Sequence, residues 1–341
     1  MILVIDRRAA VVRYQAGTLI VEAGGMAPQR VPLKVLERVV VFGNPLVEAR
    51  VWRVLAENAI PAAVLPGRGC GETAVLGHGL AVQLPLRKRQ YQLAFDPQRR
   101  QEVARWFIDA KLRSYDLPIH EWLAHQPGTE ADIQAFLRWR NRVLGRLETA
   151  DTIGSLMGRE GGVARAWFAL AARHLDKKWR FSRRNRRPPR DPVNTLLSLG
   201  YTLLYADVRQ TLTACGFDPA LGFLHQQYPA REALVLDFVE IFRSGVDLLV
   251  FELLSKAPFG KDSFYYREKE GCRLSKQGRP LFFKAWARWV EHWPRPLGSP
   301  DRGEWPKAPL SEQIAGQVAR FRRSFDKLNM EENHAPQPPT D

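Results

Sequence analysis

Apolar positions recur in two rhythms along this chain, and the change of rhythm divides it. Up to about residue 78, short β-branched runs dominate: ILVI at 2–5, TLIVE at 18–22 and RVVVF at 38–42. Turn signals separate them, among them Gly24-Gly25 and Gly43-Asn44-Pro45. Short Val- and Ile-rich runs bounded by such breakers predict strands. The stretch LVEARVWRVLAEN, 46–58, has helical spacing instead and predicts one amphipathic helix, after which AAVLP at 62–66 reads as a last core strand. A glycine-rich exit follows, GRGCGETAVLGHG at 67–79. It carries neither a GxGxxG opening a helix nor a following GK[ST], so no dinucleotide or P-loop fingerprint is present.

After about residue 88 the period is near 3.6. Helices are predicted over 98–115, 130–149, 160–180, 193–215, 231–256, 278–293 and 311–329, with most prolines between them. The expected fold is a multidomain α+β chain, a small N-terminal β-rich domain followed by a larger all-α domain. The boundaries are 1–80, a linker at 81–90, the helical domain at 91–330 and a disordered polar tail at 331–341. The stretch 294–310, PRPLGSPDRGEWPKAPL, is predicted to be a loop. No internal repeat is visible.

Composition narrows the class. The 341 residues suffice for two domains, and 45% hydrophobic residues support packed cores. No stretch approaches the ~20 apolar residues of a membrane span, and MILVIDRRAAVV is too quickly charged for a secretory signal. A cytoplasmic home is the simplest reading. Cys70, Cys215 and Cys272 fit it, being odd in number, far apart and without CxxC spacing. The formal charge of +15 attracts polyanions, with nucleic acid as the leading candidate.

The candidate chemistry begins with LVLDFVEIFR, 234–243, where Asp237 and Glu240 interrupt an otherwise apolar run. On a helix they share one face, one turn apart, with Arg243, Ser244 and Asp247 continuing the seam. A mostly buried helix whose polar seam faces a cleft is one reading; a solvated seam or a Glu240–Arg243 pair is the other. Upstream stands His225 in GFLHQQYP, where a satisfied core histidine is the simpler alternative, and further upstream Glu160 in LMGREGGVARAWF. The flanking glycines of Glu160 permit close backbone approach, while an ordinary acid at a helix N-terminus is the simpler alternative. Carboxylates with one imidazole suit magnesium or manganese rather than structural zinc. Acids brought together repel until a cation arrives.

Between Glu160 and His225 lies RHLDKKWRFSRRNRRPPR, 173–190, with nine Lys or Arg residues against one Asp. Arginines grip phosphates bidentately, and the interleaved Trp179 and Phe181 are placed to stack on splayed bases; a solvated, flexible loop is the other reading. The smaller clusters at 87–89 and 321–323 read as soluble surface. A cationic trough around an acidic metal site suits chemistry on a phosphodiester.

Four blocks, GREGGVARAWF (158–168), RRPPRDPVNTLLSLGYTLLY (186–205), GFDPALGFLH (216–225) and LVLDFVEIFR (234–243), resemble in order and spacing the CRISPR-associated integrase family "Cas one". The stretch 88–112 resembles that family's first long helical segment, and VVVFGN (39–44) more loosely its N-terminal domain. The resemblance implies a homodimer formed partly through the β domains and a small partner, "Cas two". It implies integration of short DNA fragments into a CRISPR array, an antiviral defence. It makes Glu160, His225 and Glu240 ligands of Mg2+ or Mn2+, Asp237 an accessory acid and Tyr205 an active-site tyrosine. The implied reaction is transesterification of a repeat-boundary phosphate by a 3′-hydroxyl, with nicking of branched DNA by the same site. Arg183, Arg184, Arg186, Arg187 and Arg190 would hold phosphates, and Asn194 would support the neighbouring helix. Two other readings stand beside it, a non-catalytic DNA-binding scaffold and a branched-DNA repair nuclease without an array.

Overall fold

Valine and isoleucine runs become strands where turn residues end them. β1 (Ile2–Ile5), β2 (Val11–Gln15), β3 (Thr18–Glu22), β4 (Gln29–Pro32), β5 (Arg38–Phe42) and β6 (Leu46–Val47) precede α1 (Ala49–Glu57), then β7 (Ala62–Leu65) and β8 (Ala74–Leu76). The computed structural model describes the chain except for residues 1, 6–8, 25, 37, 59, 61, 66–73, 77–83, 226–230, 257–258, 298–304 and 333–341. Cys70, most of the glycine-rich exit and nearly all of the expected tail therefore lie outside the described residues.

Two four-stranded sheets share these elements. One has the order β1-β5-β7-β8, parallel until β8 turns back against β7; the other, β4-β3-β2-β6, is antiparallel until β6 lies parallel to β2. Leu3, Ile5, Val12, Leu19, Val39 and Val41 fill one core with Val51, Val54 and Leu55 of α1. The spacing of those last three puts them on one helix face. The predicted helix at 46–58 is thus shorter, because Leu46 and Val47 pair with β2 first.

The chain divides into two units, residues 1–87 with 212–217, and residues 88–211 with 218–341. The second contains α2 (Leu84–Phe95) from residue 88 on, α3 (Pro97–Ser114), α4 (Asp116–Glu121), α5 (Glu130–Leu144), α6 (Ile153–His174), α7 (Pro192–Ala214) up to residue 211, α8 (Ala233–Lys256), α9 (Gly278–Glu291) and α10 (Leu310–Glu332). Most of α2 fell inside the expected linker. Two short ribbons add to the helices: β9 (Phe264–Arg267) with β10 (Gly271–Leu274), and β11 (Trp293–Pro294) with β12 (Lys307–Ala308). The second ribbon closes the base of the stretch expected to be a loop, where buried Trp305 donates to the Arg295 carbonyl.

α8 is the centre of the second unit. It is buried on nearly every side, as an all-round apolar helix must be. α3 packs on both α8 and α6, and Phe107, Phe223, Phe238 and Phe321 meet edge-on or tilted between α3, α8 and α10. Gly200 of α7 admits Val246, whose Cγ1 would stand 2.5 Å from any Cβ there. Arg87, expected at the surface, is buried, as is Phe321. Among the described residues no helix is long and apolar enough to cross a membrane.

Candidate active site

Glu160 stands two turns inside α6, which begins at residue 153 behind a Thr152 cap that accepts from the Ser155 N–H at 3.1 Å. It is therefore not the acid at a helix N-terminus. Nor do its glycines serve a close backbone approach: a Cβ at Gly158 would meet nothing within 4 Å, and at Gly161 or Gly162 only side-chain atoms at 3.5–4.0 Å.

Asp237 and Glu240 part company despite their spacing. Asp237 is fully buried and turned toward residues 223–225. Its Oδ2 accepts from the N–H groups of Phe223 (2.6 Å) and Leu224 (3.1 Å); its Oδ1 accepts from the His225 N–H at 3.0 Å and lies 2.7 Å from His225 Nδ1. Gly222 makes this seating possible, since a Cβ there would lie 2.6 Å from the Ala233 carbonyl carbon and 2.7 Å from Asp237 Oδ2. Asp237 thus does not line the cavity that Glu240 faces; it anchors His225 from behind. With Nδ1 engaged, Nε2 is the ring nitrogen available to a ligand. Burial alone would lower the imidazole pKa, but Asp237 and Glu240 outweigh it, and the net shift is upward.

Glu240 faces a cavity of about 820 Å³. The same cavity is lined by Glu160, His225, Tyr205, Tyr201, Lys111 and Arg243. Lys111 is only 5% exposed, and its ammonium is paired with Glu160 Oε1 and with Glu240 Oε2. Arg243 Nη1 donates to Glu240 Oε1 at 2.6 Å while its guanidinium lies 4.6 Å above the Tyr201 ring. Burial pushes the Glu240 carboxyl up, yet Arg243, Lys111 and His225 together hold it well below the usual range. Lys111 escaped the sequence reading. Its signal was position: it continues the buried stripe Ala104, Phe107, Ile108 of α3, where a lysine has no solvent to reach.

Glu160 and Glu240 meet on one cation, so the pair is built to hold positive charge. Two carboxylates and one imidazole nitrogen suit a divalent magnesium or manganese ion in donor type. Among the described residues, no three His, Cys, Asp or Glu side chains are drawn together as a metal cluster; the ammonium occupies the space between the two acids.

The basic stretch behaves unevenly. Arg183, Arg184, Arg186 and Arg187 line the cavity with Arg165 and Arg231, whereas Arg190 does not. Lys111 and seven arginines face four carboxylates there, leaving the cavity net positive. Arg184 is engaged, donating to Asn194 Oδ1 at 2.7 Å and Ser198 Oγ at 2.9 Å. Buried Asn194 accepts from the Asn185 N–H and donates to the Arg183 carbonyl, so it braces this loop rather than only its own helix. Partial burial draws the Arg184 pKa down; Arg243, then burial, does so for Arg186. Trp179 and Phe181, expected to stack on bases, are core residues. Trp179 donates to the Leu254 carbonyl at 3.2 Å, and Phe181 packs edge-on against Phe168. Tyr205 donates to Glu232 Oε2 at 2.7 Å; burial and that carboxylate push its pKa up. Cys272 is a buried free thiol.

The family model for CRISPR associated protein Cas1 matches residues 3–288. A CRISPR-associated endonuclease Cas1 of Thermodesulfovibrio yellowstonii is 31% identical over 289 residues, 84% of this chain and 90% of that protein. One from Thermus thermophilus is 32% identical over 80% of this chain and 79% of its own. Among solved structures, a Cas1 protein from Thermotoga maritima shares the fold with a TM-score of 0.72 at 19% identity, over 95% of this chain and 97% of that one. A casposase bound to integration product does so at 0.71 and 19%, over 95% and 90%. The chain belongs to the CRISPR-associated Cas1 family, whose matching relatives are named endonucleases.

Proposed function

We propose that this protein is a divalent-metal-dependent DNA integrase of CRISPR adaptation. The carrying observation is that two helices bring Glu160 and Glu240 onto one cation in a cavity with an excess of arginine. In this reading Glu160, Glu240 and Nε2 of His225 hold one magnesium or manganese ion. When bound, that ion supplies charge neutralisation at the scissile phosphate and makes an attacking oxygen more nucleophilic.

The chain's own residues do the rest. Asp237 fixes the tautomer and direction of His225. Arg183, Arg186 and Arg187 grip phosphates flanking the reacting one, Arg184 braces their loop, and Arg190 extends the track beyond the cavity. Tyr205 keeps its proton at neutral pH, which makes it a hydrogen-bonding group rather than a nucleophile. A 3′-hydroxyl of the incoming fragment attacks a repeat-boundary phosphate; its O–P bond forms, the bond to the leaving 3′-oxygen breaks, and that oxygen takes a proton. With water in place of the hydroxyl, the same site nicks branched DNA.

The partners in this reading are duplex DNA with 3′-hydroxyl ends, repeat DNA, a second copy of the chain through the β-rich unit, and the small protein Cas2. The shared fold with a Cas6-RT-Cas1–Cas2 complex, TM-score 0.72, supports this assembly. In half-site integration into a repeat-bearing plasmid, Glu160→Ala, His225→Ala and Glu240→Ala are each expected to lose at least about 100-fold in rate with the fold retained. Full activity in any of them removes that residue from the site. Nicking without integration would favour the repair nuclease.

One observation favours a second reading: Lys111 and Arg243 together already neutralise both acids without a metal. A DNA-binding scaffold with a permanent internal ion pair would show no rise in melting temperature with manganese, whereas an ion-binding fold does.

A further inference from the structure

Lys111 is placed where few lysines are found. Its side chain is nearly removed from water, on the apolar stripe of α3, and its Nζ is shared by carboxylates from α6 and α8. Lysines are rarely buried unless paired, and here the pair is double. The lone pairs that hold Nζ are the ones a divalent cation between Glu160 and Glu240 would use. Both cannot occupy that point.

The charges reinforce the exclusion. Two carboxylates against Lys111 and Arg243 sum to zero, so the buried cluster is balanced before any metal arrives. Adding a divalent ion while Lys111 stays would leave two uncompensated positive charges in a place of low dielectric, where such an excess is heavily disfavoured. Exchange of the ammonium for the ion leaves only one. Lys111 also lines the 820 Å³ cavity, so a rotated side chain has solvent-connected room beside the arginines.

We propose that Lys111 is a resident counter-cation, a positioning residue that keeps Glu160 and Glu240 gathered in the metal-free protein and is displaced into the arginine-lined cavity when a divalent ion binds. This rests on the metal-site reading above. The displaced ammonium then faces the phosphates, so metal loading strengthens the cavity's hold on DNA. Lys111 lowers the affinity for the ion, because the ion must break two ion pairs before it binds.

The test uses the full chain and Mn2+ alone, with bound ion counted by electron paramagnetic resonance and Lys111 acetylation read by mass spectrometry. Lys111→Met is expected to bind Mn2+ at least ten-fold more tightly than wild type while melting lower in the ion-free state. A role confined to packing would weaken ion binding instead. In wild type, where no variant needs to fold, saturating Mn2+ is expected to turn Lys111 from protected to acetylated; Glu240→Gln is expected to abolish ion binding. Wild type that binds Mn2+ through Glu240 while Lys111 stays protected, or a folded Lys111→Met that binds no more tightly, overturns the displacement and leaves the metal site standing. Failure of both wild type and Lys111→Met to bind Mn2+ overturns both.

Discussion

Asp237 and Glu240 sit one turn apart on α8, and both are almost wholly removed from water, 0% and 6% exposed. They are compensated in different ways. Asp237 takes three backbone N–H groups and an imidazole nitrogen, all fixed by the course of residues 223–225. Glu240 takes the tips of two long side chains, Lys111 and Arg243, and shares the first with Glu160. The first set cannot change without moving the main chain. The second exchanges by rotating side-chain torsions. A buried carboxylate held by backbone is architecture; one held by mobile cations is free to trade a partner for an ion.

The largest effect expected from breaking this contrast is on stability. Asp237→Ala leaves two buried N–H groups and a partly buried third without an acceptor and is expected to lower the unfolding free energy by about 3–5 kcal/mol, measured by urea denaturation. Glu240→Gln leaves one positive charge uncompensated, but Lys111 keeps Glu160, Arg243 keeps a carbonyl acceptor, and both side chains line the cavity and can rotate toward solvent, so its loss is expected to be smaller, near ~1–2 kcal/mol. Equal losses would erase the distinction between the two acids.

A second effect comes from Asp247, two turns further along α8. It is buried against Tyr201, whose hydroxyl donates to Oδ1, and Trp167, whose Nε1 donates to Oδ2 at 2.9 Å. Burial raises its pKa to about 6, against the lowering pull of those donors and of Arg243 and Arg184. Between the ordinary carboxylate range and that value the folded chain keeps a proton that the unfolded chain releases. Folded protein thus binds more protons there, and stability falls as pH rises through about 4–6, then levels, by on the order of 2–3 kcal/mol. Asp247→Asn is expected to remove that slope from the difference between paired pH series. Parallel curves for the two proteins would mean that Asp247 stays ionised throughout. Glu240 has the opposite sign of shift, so the two ends of one seam answer acid in opposite directions.

Much of this was legible in the residues, and the misses have physical causes. The strands at 2–5, 18–22 and 38–42 form as read because each is a β-branched run closed by turn residues. β2 was missed because VVRYQ mixes apolar and polar positions in a strand partly exposed on one face. α6 starts seven residues before its predicted start because Gly154, Gly158, Gly161 and Gly162 mimic a loop while Thr152 caps the turn. Glu160, His225 and Glu240 all line the cavity, as charges in apolar surroundings and the block resemblance suggested. Asp237 does not join Glu240 at the cavity: i and i+3 share a face on paper, yet the side chains of one face can turn toward different neighbours. Lys111 was silent because a lysine in an amphipathic helix reads as solvent side unless its exact place on the apolar stripe is checked. Trp179 and Phe181 misled for the converse reason: aromatics in a basic run are as often the anchors that pin the run to a core.

The smallest effects belong to the exposed arginines, and they sharpen the contrast between exchangeable and built-in charge. Arg183, Arg186 and Arg187 reach the cavity from exposed positions. Each changed to Ala is expected to weaken DNA binding a few-fold and to reduce the slope of log affinity against log salt by about one, with stability unchanged. Arg184 should not behave so. Its guanidinium is tied to Asn194 and Ser198 and lies 5.5 Å over Tyr201, so Arg184→Ala is expected to lower stability by about 1 kcal/mol while the salt slope moves less than one unit. The measurement is a salt titration of DNA affinity run beside a melting curve for each variant. A full unit of slope lost at Arg184 with no change in melting would put it among the phosphate-gripping arginines and leave Asn194 alone to hold the loop.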